Sequence, residues 1–135
     1  MILNIRRLET IFISLIGLHS LILGVAMAFQ PMFTLRLFGW DYQGPMFFPT
    51  QTGVFLTLFG ILFLIFLRHR NLIWFIVVIK GAAVLFLVSQ KFILGPDAPA
   101  TVLVAAVFDG LMGALVATFL IWQAYTNKKK TAPSY

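Results

Sequence analysis

The chain has 135 residues, 61% of them hydrophobic and only 10% charged. A soluble domain carries about 25% charged residues, so water is not the main solvent here. The formal charge is +6, yet the basic residues gather at the ends of apolar runs instead of forming one face. That pattern argues against nucleic acid and for anchoring beside anionic lipid. With no cysteine, the chain supplies no disulfide, thiolate metal site or iron–sulfur cluster.

Met1–Arg7 is a short head carrying Arg6 and Arg7. Residues 8–29 form the first apolar run. Ala26-Met27-Ala28 has the small-x-small form of a signal-cleavage site, but the run is too long for a signal core. Residues 30–46 are dense in aromatic and apolar side chains and broken by Gly39, Gly44 and Pro45. They are expected to lie as an interfacial loop at headgroup level, either as a plain connection or as a lid over a ligand.

Residues 47–67 form the second run, with Pro49 in a first-turn position where its missing N–H is not needed. Arg68-His69-Arg70-Asn71 is a tight basic turn, and residues 72–94 form the third run. Gly95-Pro96-Asp97-Ala98-Pro99 is a rigid turn into the fourth run, 101–122. Residues 123–135 are a basic tail with Lys128, Lys129 and Lys130. Spans in hydrocarbon must satisfy their own backbone, so all four runs are helices. The prediction is one integral membrane domain over 1–135, an all-α four-helix transmembrane bundle.

Orientation follows from the basic residues. With both termini inside, Arg6, Arg7, Arg68, Arg70, Lys128, Lys129 and Lys130 face the cytoplasm, and Arg36 and Lys91 lie outside. Seven against two is a strong positive-inside bias. The expected location is a bacterial cytoplasmic membrane.

Four polar residues inside the runs are candidate site residues: His19, Gln51, Lys80 and Asp109. An intramembrane ionisable group is costly and is a functional hypothesis by default. At 1.5 Å rise per residue, Lys80 and His19 lie about 13 and 16 Å from the inner surface, and Asp109 and Gln51 about 22 and 25 Å. Helical side chains lean toward their own N-terminus, so Lys80 leans inward and Asp109 outward. A direct Lys80–Asp109 bridge works against both leans, and a chain through His19 is equally compatible. Lys80 alone could snorkel to the headgroups, and Asp109 and His19 could serve as structural hydrogen-bond glue. Of the two histidines, His69 sits in the basic turn expected on the cytoplasmic side, far from His19, so a haem fits poorly, and no pair has helical metal-ligand spacing. No catalytic set is present.

Small residues mark the packing faces. In the fourth run Ala105, Asp109, Gly113 and Ala117 recur every four residues, so Asp109 faces protein. In the first run Ser14, Gly17, Ser20, Gly24 and Ala28 fall on one stripe, with His19 on the opposite side. A lone bundle covers one of these faces easily and both with difficulty, which predicts contact with another chain.

Gly17-Leu18-His19, Gln30-Pro31, Leu37-Phe38-Gly39, Gln51-Thr52-Gly53, Lys80-Gly81 and Asp109 together resemble small bacterial four-span membrane proteins of the DoxX-like kind. The resemblance covers all four runs. It implies a four-helix bundle, and some DoxX-type proteins are similar to membrane partners of quinone-linked oxidoreductases. Two function classes follow. The first is a non-catalytic membrane subunit or scaffold packed on other chains through the first run. The alternative is a binder or carrier of a hydrophobic or protonatable ligand, a quinone or lipid, at His19, Gln51, Lys80 and Asp109. An autonomous enzyme is the weakest reading.

Overall fold

The computed structural model describes residues 2–95 and 98–131, with side chains described over 5–95 and 98–127. The Pro96-Asp97 part of the expected turn and the Lys128–Lys130 side chains lie outside the described residues. Among the described residues the chain is all helical: α1 (Ile2–Phe29), α2 (Pro31–Leu37), α3 (Phe47–Phe66), a 3-10 turn (Arg70–Leu72), α4 (Trp74–Leu94) and α5 (Thr101–Thr131). The four long helices are apolar and long enough to cross a membrane. α5 runs nine residues past the expected end at Trp122, because nothing in Gln123–Thr131 breaks a helix.

α2 corrects the expectation of an irregular loop over 30–46. Pro31 pre-sets the first turn, Arg36 sits in the last turn, and Gly39 ends the helix at a φ of 78°, a region open to glycine. α4 ends the same way at Gly95, φ 58°. There Lys91 Nζ donates to the carbonyls of Gly95 (3.0 Å) and Ala98 (2.8 Å), so its charge serves the turn.

The long helices form two tight antiparallel pairs, α1 with α3 and α4 with α5. Glycine is why the first pair is tight. A methyl built on Gly24 would stand 2.3 Å from the Thr57 nitrogen, one on Gly53 2.3 Å from the Ala28 nitrogen, and one on Gly60 2.6 Å from the Leu21 nitrogen. Such contacts leave no room for a side chain, so the backbones approach as small-residue faces allow. The Gly17, Gly24 and Ala28 side of the stripe is therefore spent on α3 within the same chain. The sequence leaves this stripe to helix packing or to a partner chain; Gly17, Gly24 and Ala28 pack on α3.

Between the pairs, one half of the bundle is filled. Ile13, Ile16, Phe63, Phe66, Ile73, Ile76 and Val116 form a buried apolar cluster. Above it, toward α2, the pairs stand apart.

Candidate functional site

The gap between the pairs is a cavity of about 460 Å³. α1 contributes His19, Ser20 and Leu23, α4 contributes Lys80, and α5 contributes Val104, Ala105, Phe108 and Asp109. Leu37 and Phe38, where α2 ends, roof it. The Thr101 hydroxyl donates to the Phe38 carbonyl, which ties the roof to the first turn of α5. A second cavity of about 340 Å³ lies on the α3–α4 side, walled by Phe59, Phe63 and Phe86. Ser20, Leu56, Lys80 and Asp109 line both.

Lys80 Nζ donates to Asp109 Oδ1 at 2.5 Å. The Lys80 side chain is 8% exposed and that of Asp109 21%. The direct bridge, expected to be hindered by the lean of both side chains, is thus the one that forms, and His19 does not mediate it. Gly113 shows why. A methyl there would stand 3.2 Å from Lys80 Cβ, so the bare backbone of α5 gives the lysine stem its place. Each charge is costly to leave alone in an apolar interior, and the pair offsets much of that cost.

Two further polar groups face the cavity with no one to bond. Among the described residues, neither the His19 ring nor the Ser20 hydroxyl makes a hydrogen bond within the protein. His19 is exposed and Ser20 buried, and the Ser20 hydroxyl opens onto the cavity instead of being fully enclosed. Of the predicted set, then, His19, Lys80 and Asp109 come together, joined by Ala105 and Ser20 from the packing faces. Gln51 does not line the cavity; it is exposed on the first turns of α3. Ser14 donates to the Thr10 carbonyl at 2.8 Å, an ordinary intrahelical bond, and Ala117 lies on α5 beyond the cavity.

A second polar cluster escaped the sequence reading. At the end bearing the termini, Arg70 Nη2 donates to Glu9 Oε2 and to Gln123 Oε1, both at 2.6 Å. Gln123 Nε2 donates to the same Glu9 oxygen at 2.8 Å. Glu9 Oε1 is buried without a partner. The signal was a carboxylate within an apolar run, but its two partners lie in a turn and a tail far along the chain. This cluster also fixes both termini-side helix ends and the α3–α4 turn at one end of the bundle.

No family model, curated protein or solved structure matches the chain. The geometry of the cavity therefore carries the functional reading.

Proposed function

We propose that the protein lies in a lipid bilayer and there binds a hydrophobic molecule with a polar head, a quinone or a lipid, between its two helix pairs. The observation that supports this most is the cavity itself: largely apolar, yet walled by an ion pair and by His19 and Ser20 with no protein partner. Apolar pockets with a few convergent polar groups are the usual form of small-molecule sites. The Lys80 ammonium and a His19 ring N–H can donate to a carbonyl, and Asp109 can accept from a hydroxyl. The ligand's tail then meets Leu23, Val104 and Phe108. In this reading the chain is a binder or carrier. The subunit reading loses its main support once the α1 stripe is packed on α3.

The basic end, with both termini, faces the cytoplasm of a bacterial inner membrane in this reading. A cysteine placed at residue 130 should resist impermeant label added outside intact cells; external labelling contradicts the orientation. For the ligand, the purified protein should bind a short-chain quinone or a single-tailed lipid saturably. Asp109→Asn should weaken that binding about tenfold, the effect of losing one hydrogen bond to a charged group. Unsaturable partitioning, equal in native protein and variant, would return the subunit reading to first place.

A further inference from the structure

We propose that the termini end carries a separate site, a notch that holds the phosphate of an anionic phospholipid. It rests on the bilayer reading alone and is independent of the cavity. Arg6, Arg7, Thr10 and Ile11 of α1 and Arg70 of the 3-10 turn line a concavity of about 380 Å³. Arg70 is held in position there, since one of its nitrogens is clamped by Glu9 and Gln123. A guanidinium carries five N–H donors in a fixed fork, so the clamp leaves others to face the notch. That fork matches phosphate oxygens two at a time.

The charge balance fits an anion. Glu9 is 1% exposed and does not line the notch, so its charge is spent on Arg70. Three guanidinium groups less one carboxylate leave a net +2 at the site. The surrounding surface argues for a lipid over a free phosphate. Leu8, Ile11, Leu15, Leu18 and Ile22 are all exposed. Spaced three and four apart, they make one apolar stripe along α1 that begins at the notch. An acyl chain lying on that stripe places its headgroup among the arginines, whereas free phosphate gains nothing from it.

The test titrates the full chain in neutral detergent with phosphatidylglycerol, phosphatidylcholine or inorganic phosphate, reading bound molecules by native mass spectrometry. Phosphatidylglycerol should bind in preference to phosphatidylcholine. A basic residue near an anionic lipid surface contributes about fivefold in affinity, so Arg6→Gln with Arg7→Gln should weaken phosphatidylglycerol roughly 25-fold. Phosphatidylcholine binding should not change. Replacing Lys128, Lys129 and Lys130 by glutamine should leave the preference intact. Equal binding of the two lipids overturns the proposal. So does a preference that follows the three lysines, which would be diffuse charge, or displacement of phosphatidylglycerol by millimolar phosphate, which would mark a free-anion site. Both arginines are exposed, and an unchanged melting temperature confirms that the variant folds.

Discussion

In the half of the bundle nearest the termini, Glu9 is shut between Arg70 and Gln123 beside a core of Ile13, Ile16, Phe63, Phe66, Ile73, Ile76 and Val116. In the half nearest α2, Lys80 and Asp109 stand between two cavities. Both halves bury charge, and both pair it. They differ in what surrounds the pair. The first half fills the space between the helix pairs with large aromatic and β-branched side chains. The second sets Ser20, Ala82, Ala83 and Ala105 among Leu56, Phe59, Phe86 and Phe108 around a space that stays open. Small residues draw two helices together where they face each other, as Gly24, Gly53 and Gly60 do, but leave room where they face a gap. Small residues facing each other close the α1–α3 seam, and small residues facing the gap contribute to its room.

The α1–α3 seam tolerates substitution least. Gly60→Ala puts a methyl 2.6 Å from a backbone nitrogen that has no rotamer to yield. Forced overpacking costs about 3 kcal/mol, read as a large fall in thermal stability in detergent. A neutral result would mean that the pairs are not rigid bodies, and the gap between them would not be a fixed feature. Replacing Gly17 and Gly24 by leucine should likewise break the chain's own hairpin, where the sequence alone suggested loss of a partner.

A smaller effect sharpens the contrast at the open half. Lys80→Leu leaves Asp109 beside the cavity without its cation and should cost about 2 kcal/mol, less than a fully enclosed pair because Asp109 is partly exposed. Adding Asp109→Leu should restore most of the loss, since an apolar replacement of both partners leaves no stranded charge. If Lys80→Leu alone is neutral, the ion pair does not hold the open half together. The smallest effect is at Gly81, one residue on. Nothing lies within 4 Å of a methyl built there. Gly81→Ala should stabilise the protein by about 0.5–1 kcal/mol through helix propensity.

How far the sequence reveals this arrangement depends on whether the signal is local. Length and apolarity place all four long helices, since apolar runs of that length favour helices that satisfy their own backbone. α2 is short, and its cues, Pro31 at the start and Gly39 at the end, are masked by the aromatic residues around them. The stripe on α1 was legible as a packing face. Its partner was not, because one helix's face does not name its neighbour; the matching Gly53, Thr57 and Gly60 of α3 hold that information. Side-chain lean argues against the Lys80–Asp109 bridge, but the clearance that Gly113 gives the lysine stem is a property of the packed pair and not of either helix. The polar character of Gln51 and its depth are legible in the sequence, but neither fixes which way its side chain turns. The cavity is space between two helix pairs, so no single segment encodes it.

If the space between the helix pairs is a binding site, filling it abolishes binding. Ala105→Phe projects a ring into the cavity from α5. The protein should be extracted gently in mild detergent with Arg6→Gln and Arg7→Gln in place, so that the basic notch contributes little. Native mass spectrometry should then show one retained quinone or lipid per chain. The same protein with Ala105→Phe should melt at a similar temperature and retain none. Equal retention by both, or none by either, would contradict the account.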